Sequence, residues 1–328
     1  MSVVLFTCAG RRADIVAAFG AAGATTLATD TSELAPALYI ADRHAIVPRV
    51  DDPGYLPALA ELVRVHDVDL VVPLTDLDHR LLATRREELD ALVLLPDLPT
   101  VERTADKWLA HIFFQEHGIP SPPSWLPEEL PDAIPFPVLV KAREGFGANG
   151  IYKARSHEEL DFFLSYTEHR SMVQKVCTGT EFSIDVFCDL DGICLGAVPR
   201  SMLHSTGGET VQGESLKDEQ LIEFAAHVAE TLRLRGPACI QCFREEDGTH
   251  RVTDVNPRFG GGFPLPTAAG SRFPELALAL AAGERPEPRL GDFRAGVVMS
   301  RYLSQVILSR GADGTLAPLE PATEKEVT

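Results

Sequence analysis

Short apolar runs alternate with amphipathic stretches over the first hundred residues. Strands are predicted for VVLFTCAG, TTLATD, HAIVP and VDLVVPLTD, and helices for RRADIVAAFGAAG and GYLPALAELVRVHD between them. Strands that alternate with helices form parallel sheets with crossover connections. Residues 1–99 are therefore predicted to form a small doubly wound α/β domain.

Ligands of doubly wound sheets bind at the carboxyl ends of the strands. Three polar segments follow predicted strands and would line this edge of the sheet, here called the rim: Thr7–Arg12, Asp30 and Leu74–Arg80. Polar residues also follow buried strands when no ligand is bound, so this rim has two interpretations. A nicotinamide-dependent dehydrogenase is disfavoured, because TCAGRR holds a single glycine and no glycine fingerprint precedes Asp30.

The pattern changes after residue 100. TADKWLAHIFFQEHG predicts a helix with Thr104 as its N-cap and Gly118 just past its end. Prolines between 120 and 137 then mark an extended connection, and long alternating runs follow, with hairpin turns predicted at Asp191-Gly192 and Asp247-Gly248. This combined α/β and α+β pattern predicts a small subdomain at 100–176, an antiparallel subdomain at 177–312 and a disordered tail at 313–328.

A glycine-rich loop follows the apolar run PFPVLV. The stretch KAREGFGANGI places Gly145, Gly147 and Gly150 within six residues, directly after Lys141. Without side chains, backbone N–H groups can approach a polyphosphate closely, and the lysine adds a point charge. A hairpin turn between PVLVKAR and GIYKAR is the alternative interpretation.

A polar stripe is predicted near RVTDVNPRFGGG. Asp254 and Asn256 are two apart on a strand and share a face, and Gln241 lies on the partner strand of the hairpin. Such oxygen ligands suit a magnesium ion that is also held by phosphates. Arg258 would share that face and could bind a phosphate or an anionic transition state. Taken one at a time, each of these polar residues could instead belong to a strand face that is exposed to solvent.

Composition and charge narrow the class of protein. The chain has 328 residues, of which 45% are hydrophobic, and a formal net charge of −18. This charge argues against nucleic acid as a partner, because no basic face can be spared to neutralise phosphates. No stretch has the length of a membrane span, and arginines follow the first apolar run instead of preceding it, so we expect a cytoplasmic protein without a membrane partner.

The six cysteines are predicted to be buried thiols. Cys239 and Cys242 form a CxxC pair, but residues three apart on a strand point to opposite faces, and no second pair lies at zinc-site spacing.

Five motifs in order resemble the ATP-grasp enzymes, in particular the branch that contains the carbamoyl-phosphate synthase large chain and related carboxylate-amine ligases. The resemblance covers residues 1 to about 310. The motifs are LFTCAGRR with VVPLTDLDHRLLA, TADKWLAHIFFQEHGIPSPPSW, PFPVLVKAREGFGANGI, MVQKVCTGTEF and VTDVNPRFGGGFPLPTAAG.

The resemblance implies an ATP-grasp fold, with a Rossmann-like pre-grasp domain and two antiparallel-sheet subdomains that clamp ATP. It places Lys107 and Lys141 near the phosphates and the loop Glu144–Gly150, with Gly145 and Gly147, over them. The remaining implied roles are adenine contacts for Gln174, Lys175 and Cys177, ribose contacts for Glu181, metal ligation for Gln241, Asp254 and Asn256, and catalysis for Arg258 and Arg200.

The implied reaction joins a small-molecule carboxylate to an amine. The enzyme would transfer the terminal phosphoryl group of ATP to the carboxylate, and an amine would attack the acyl phosphate. The implied cofactors are ATP and one or two Mg²⁺ ions, with Mn²⁺ as the alternative metal. A homodimer is a common assembly among such relatives.

The chain departs from the family pattern at several positions. Phe146 and Ala148 replace small hydroxyl residues in the loop, and Asp254 replaces a glutamate. After Arg200 only His204 remains where related ligases carry more basic residues. A nucleotide-binding module without ligase turnover is therefore the alternative function.

Overall fold

The computed structural model describes residues 2–145, 150–206 and 209–319. In chain order, the strands are β1 Val3–Thr7, β2 Thr25–Asp30, β3 Arg43–Ile46, β4 Leu70–Pro73, β5 Leu92–Val93, β6 Ser124–Trp125, β7 Val138–Ala142, β8 Ile151–Ala154, β9 Ser171–Lys175, β10 Thr180–Cys188, β11 Cys194–Thr206, β12 Glu209–Ser215, β13 Gly236–Arg244, β14 His250–Asn256, β15 Val298–Ser300, β16 Leu308–Arg310 and β17 Leu316–Pro318. The α-helices are α1 Ala13–Ala21, α2 Tyr55–His66, α3 His79–Arg85, α4 Leu98–Ala105, α5 Lys107–Glu116, α6 His157–Tyr166, α7 Glu219–Thr231, α8 Pro264–Ala269 and α9 Phe273–Ala281.

The chain divides into two compact units. The first comprises the described residues of Met1–Asp78, Glu87–Val93 and Arg301–Thr328, and the second those of His79–Arg86 and Leu94–Ser300. Within the described ranges, no helix is long and apolar enough to span a bilayer.

The first unit contains the predicted parallel sheet, in the order β3-β2-β1-β4-β5. All of its neighbouring strands run parallel, which confirms the doubly wound prediction. The central strand β1 is almost entirely buried, as expected of a strand covered on both faces. At the rim, the Asp30 carboxylate accepts hydrogen bonds from the N–H groups of Gly10 and Ser32. These bonds to the backbone of the adjoining loops account for an aspartate at this position without a ligand.

The second unit contains two antiparallel sheets. The smaller has the order β6-β9-β7-β8, and the larger has the order β14-β13-β10-β11-β12-β15. One face of the larger sheet packs against α7 around Ile184, Ala225 and Ile240, each fully shielded from water. The predicted hairpin turns are confirmed, since Gly192 and Gly248 have positive φ angles between antiparallel strands.

Two predicted boundaries need correction. The helix that carries Lys107 begins after Asp106, which is its N-cap, while Thr104 belongs to α4 and donates to the Thr100 carbonyl. Within the tail predicted to be disordered from residue 313, Leu316–Pro318 form a strand, β17, which pairs with β16. Residues 320–328 of that tail lie outside the described residues.

Gly236 opens β13 at a point where a side chain has no room. Its φ is +71°, and a Cβ atom there would lie 2.5 Å from Cγ of the buried Leu94. Gly248 also has a positive φ, +84°, but a Cβ atom would meet nothing within 4 Å. A side chain at Gly236 would therefore cause both backbone strain and steric overlap, whereas one at Gly248 would cause backbone strain alone.

We expect Gly236→Ala to lower the free energy of unfolding by about 2–4 kcal/mol, because overpacking adds to the left-handed backbone strain. Gly248→Ala should cost only about 1–2 kcal/mol, from the backbone strain alone. Urea denaturation of both variants measures the difference. Equal losses would contradict the steric argument.

Candidate active site

The start of α5 is fastened to the end of β7 by an ion pair. The Asp106 carboxylate accepts from the N–H groups of Trp108 and Leu109 at 2.9 and 3.4 Å, and each of its oxygens lies 3.0 Å from Nε of Arg143. The backbone closes the same junction, since the Lys107 N–H donates to the Arg143 carbonyl at 2.9 Å. Burial alone would raise the pKa of Asp106, but the Arg143 guanidinium and the helix N–H groups outweigh it and lower that pKa.

Two lysines converge beside the glycine-rich loop. Lys107 Nζ donates to the Gly145 carbonyl at 3.1 Å and lies 3.9 Å from Oδ1 of Asp254. Lys141 Nζ is buried and donates to Oε1 of Gln174 at 3.1 Å. Burial lowers the pKa of Lys141, with a further contribution from the Lys107 ammonium, while the Asp254 carboxylate opposes the shift. Two ammonium groups thus lie near one carboxylate, an arrangement that favours an added anion.

Gln174 holds Lys141 in place. Its Oε1 accepts from Lys141, and its Nε2 donates to Ser124 Oγ at 3.0 Å, so both ends of the amide are used inside the smaller sheet. Ser124 in turn donates to the Pro122 carbonyl at 2.9 Å. The described contacts of Gln174 are therefore with a lysine and a serine, and its contact with adenine stays a prediction.

The end of β9 presents backbone groups beside this lysine. The N–H groups of Lys175 and Val176 donate to the carbonyls of Pro123 and Pro137 at 2.9 and 3.3 Å. Proline has no N–H, so neither proline can return a hydrogen bond to the carbonyls of Lys175 and Val176. The Lys175 carbonyl therefore receives no hydrogen bond from Pro123. It could accept one from a ligand, as its predicted contact with adenine requires.

Two groups further along the chain have raised pKa values. Burial raises the pKa of Glu181, while the Lys141 ammonium lowers it by a smaller amount. Burial also raises the pKa of the Cys177 thiol to about 12, with the Glu245 carboxylate adding to the shift. Cys177 is therefore a neutral thiol near neutral pH, and a predicted contact to adenine falls to its backbone.

The polar stripe forms as predicted. In the β13–β14 register, Gln241 lies opposite Asp254 and Cys239 lies opposite Asn256, with a bulge after Gln241. Asn256 Nδ2 donates to Asp254 Oδ2 at 3.1 Å, and its Oδ1 accepts from Arg258 at 3.2 Å. Carboxylate, amide and guanidinium thus form one hydrogen-bonded chain.

Arg200 lies two strands away on the same sheet, fully buried. Its Nε donates to Asp185 Oδ2 at 2.8 Å, and its other two nitrogens contact Thr210 Oγ1 and Cys239 Sγ at 2.5 and 3.7 Å. A Cβ atom on Gly262 would lie 2.5 Å from its Cζ, so the glycine backbone covers the guanidinium. All three nitrogens have protein partners, which favours a positioning role for Arg200 over direct contact with a substrate.

The donor set fits a metal that arrives with a nucleotide. Gln241, Asp254 and Asn256 offer one carboxylate and two amide oxygens, with Lys107 close by. In the described ranges, no group of three or more His, Cys, Asp or Glu side chains that could hold a metal ion is found. Mg²⁺ commonly binds through one or two carboxylates while phosphates supply its other ligands, so these residues fit Mg²⁺ held in that way.

Two family models match separate parts of the chain. The model described as "PylC-like, N-terminal domain" matches residues 4–94, and "ATP-grasp in the biosynthetic pathway with Ter operon" matches residues 167–302. The second match contains the metal-type donors and Arg258. The chain is thus similar to ATP-grasp proteins over residues 167–302.

Relatives by sequence are carbamoyl-phosphate synthases. The chain is 30% identical over 174 residues to the carbamoyl-phosphate synthase of Methanobrevibacter smithii, which covers 50% of this chain and 46% of that protein. It is 27% identical over 221 residues to the large chain of Pyrococcus furiosus, covering 60% of this chain and 21% of that one. The chain thus spans less than half the length of these ATP-grasp relatives.

Solved structures confirm the ATP-grasp fold. The L-amino acid ligase of Bacillus licheniformis superimposes with a TM-score of 0.72 at 17% identity, over 90% of this chain and 78% of that one. The biotin carboxylase domain of Hydrogenobacter thermophilus 2-oxoglutarate carboxylase, in complex with MgADP, ADP and bicarbonate, also gives 0.72, at 20% identity over 90% and 73%.

The second unit contains every predicted site residue that the structure describes. Contacts join Lys107 to Asp254, Lys141 to Gln174, and Asn256 to both Asp254 and Arg258. Gly147 lies outside the described residues, as do Phe146 and Ala148. The roles themselves stay predictions.

Sequence reasoning missed several supporting residues. An aspartate directly before the helical pattern of α5 was a signal for Asp106 as N-cap, and an aspartate inside the apolar run FSIDVFC was a signal for a buried, paired Asp185. Arg143 and Ser124 carry no comparable signal, because their partners are distant in sequence.

The Asp106–Arg143 pair predicts a pH-dependent loss of stability. Removing one partner leaves the other charge buried and unpaired, so we expect Asp106→Asn to cost about 3 kcal/mol at neutral pH. Asp97, the exposed N-cap of α4, is the matched control, and Asp97→Asn should cost under about 1 kcal/mol.

The pKa of Asp106 is lowered in the folded state, so its contribution is complete above the ordinary aspartate value. The difference in unfolding free energy between the wild type and Asp106→Asn should therefore be constant above about pH 4 and shrink as the pH falls further. Denaturant titrations across this range measure it. A difference that grows on acidification would contradict the assignment.

Proposed function

We propose that the protein is an ADP-forming carboxylate-amine ligase that makes an amide bond through an acyl phosphate. The observation that carries the proposal is the position of Lys107 beside Asp254, with Arg258 linked to the same carboxylate through Asn256 and the buried Lys141 held by Gln174. Two lysines and an arginine in the same subdomain as this carboxylate suit a polyphosphate that brings its own divalent cation.

ATP binding follows from the groups around these lysines. The Lys175 carbonyl and the Cys177 N–H would meet the adenine edge, and Glu181 would accept from the ribose hydroxyls. The phosphates would lie at Lys107 and Lys141, whose ammonium groups are held by Gly145 and Gln174. Binding an anion beside Lys141 would also offset the burial that lowers its pKa.

The chemistry requires activation, because a carboxylate resists attack by a nucleophile. A substrate carboxylate oxygen attacks the γ-phosphorus of ATP, the bond to the β–γ bridging oxygen breaks, and an acyl phosphate and ADP form. An amine then attacks the acyl carbon, the C–O bond to phosphate breaks, and the nitrogen loses a proton. Arg258 would stabilise the charge that develops on the transferring phosphoryl group.

Mg²⁺, when bound by Gln241, Asp254 and Asn256, would neutralise phosphate charge. The lysines align ATP with the carboxylate and supply much of the rate enhancement by positioning. The loop Glu144–Gly150, whose residues 146–149 lie outside the described ranges, would exclude water from the acyl phosphate.

The substrate class is proposed from chemistry and from the neighbours together. The neighbours include an L-amino acid ligase and a biotin carboxylase domain bound to bicarbonate, so the fold alone admits an amino acid or bicarbonate as the activated acid. We favour a small organic carboxylate and an amine. A homodimer and a cytoplasmic location stay predictions.

The deciding experiment measures release of ADP and phosphate from ATP and Mg²⁺, with amino acids, small carboxylic acids and bicarbonate offered singly and in pairs. We expect release that requires an acid together with an amine, and a product lighter by one water than their sum, identified by mass spectrometry. Release that requires bicarbonate would indicate a carboxylase-type reaction. ATP binding without release under any pair would favour the nucleotide-binding module.

Asp254 tests the metal assignment. Asp254→Asn removes the carboxylate among the three predicted ligands, so we expect turnover to fall about a hundredfold or more and the Mg²⁺ concentration for half-maximal rate to rise. Asp247→Asn, in the exposed β13–β14 turn, is the control and should leave both unchanged. Full turnover in Asp254→Asn would remove this residue from the metal site.

A further inference from the structure

A cavity lies in the larger-sheet subdomain, lined by residues other than those of the candidate ATP site. It has a volume of about 330 Å³ and lies between the first half of β11, α9 and the segment 284–293. Its walls are mainly apolar and include Leu195, Val198, Phe273, Leu276 and Phe293. None of the predicted nucleotide, metal or catalytic residues lines it. A cavity of this size and character is typical of a small-molecule site.

The segment 284–293 forms one side of the cavity and is tied at both ends. The Glu284 N–H donates to the Ala279 carbonyl, and the Arg289 N–H donates to the Leu195 carbonyl, each at 2.9 Å. Pro286 and Pro288 restrict the backbone between these ties. The cavity wall is therefore fixed by backbone hydrogen bonds as well as by side-chain packing.

One residue that lines the cavity, Ser271, has a buried hydroxyl without a partner among the described residues. The residue as a whole is 8% exposed. A buried hydroxyl without a partner costs free energy, so such groups are normally satisfied by a ligand or an ordered water.

The N-terminus of α9 lies next to Ser271. This helix has no side-chain cap, and its first internal bond runs from the Leu276 N–H to the Arg272 carbonyl. The N–H groups of Phe273 and Glu275 precede that bond, and the positive end of the helix dipole favours an anion there. Hydroxyl and helix terminus together favour a hydrogen-bond acceptor with negative charge.

We propose that this cavity binds a small carboxylic acid with an apolar body. The carboxylate would accept from Ser271 and from the first turn of α9, and the apolar body would fill the space against Val198, Phe273 and Leu276. Charged residues of both signs, including Arg272 and Glu275, line the same cavity. Its charge is therefore mixed, and the anion preference comes from the helix terminus.

Occupancy of the cavity would reach the candidate ATP site through β11. Val198 lines the cavity and pairs in register with Asp185, and Arg200, two residues further on the same strand face, forms its ion pair with that aspartate. A ligand that presses on Val198 therefore acts one step from the Arg200–Asp185 pair. The proposed ligand is an effector in addition to the substrates of the ligase.

The test uses phenylacetate as the probe on the full chain, with ADP and Mg²⁺ at saturation. We expect saturable binding by calorimetry in the wild type, and loss of it in Ala279→Trp, which fills the cavity from α9. Ala282→Trp, just past the end of α9 and outside the lining, is the matched control and should bind as the wild type does. Should Ala279→Trp fail to fold by circular dichroism, Ala279→Leu serves in its place.

Ser271 tests the position of the carboxylate. Ser271→Ala should weaken phenylacetate about tenfold, the effect of one hydrogen bond to a charged group, and should weaken the neutral phenylacetamide less. Absence of phenylacetate binding to the wild type would overturn the proposal. Equal binding to the wild type and Ala279→Trp would place the probe elsewhere and overturn it as well.

Discussion

The ion pair between Asp106 and Arg143 places both lysines of the candidate site. Asp106 begins α5 one residue before Lys107, and Arg143 follows β7 two residues after Lys141. Because the pair is buried and supported by backbone N–H groups, the helix start and the strand end are held at one separation. Lys107 consequently lies 3.9 Å from the Asp254 carboxylate, while Lys141, on a different element, donates to Gln174. A single ion pair thus fixes the elements that carry Lys107 and Lys141, the groups proposed to bind the polyphosphate.

Concentrating cations in a partly buried site has a cost, and neighbouring polar groups offset it. Lys141 is shielded from water, and burial lowers its pKa, but Gln174 accepts a hydrogen bond from its ammonium group and the Asp254 carboxylate opposes the shift. The positive charge of Arg200 is balanced more completely, by the carboxylate of the buried Asp185. The charge of Lys141 is therefore suited to an added anion, whereas the charge of Arg200 is already neutralised by Asp185. For this reason we propose phosphate binding for Lys141 and a positioning role for Arg200.

Glycine backbone shapes the region between the metal-type donors and the buried arginine. Gly260 and Gly262 lie so close to Asp185 and Arg200 that a Cβ atom would fall 2.5 Å from either charged group. The sequence FGGG is thus explained by packing over an ion pair, a reason separate from the phosphate-binding use of glycine at residues 145–150. Phe263 and Phe273 continue this cover toward the apolar cavity beside α9.

The sequence by itself determined the elements and the order of the motifs. Alternating apolar runs predicted the parallel sheet of the first unit and the antiparallel hairpins of the second, because period-two and period-3.6 patterns are local properties of the chain. The same local logic paired Gln241 with Asp254 across a hairpin of short sequence separation. Only the tertiary structure decided which distant groups meet: Asp106 with Arg143, Gln174 with Ser124, and Arg200 with Asp185. These contacts depend on strand order and on burial, which no local pattern encodes. They also distinguish Lys107 and Lys141, which are arranged for an anion, from Arg200, whose charge is already paired with that of Asp185.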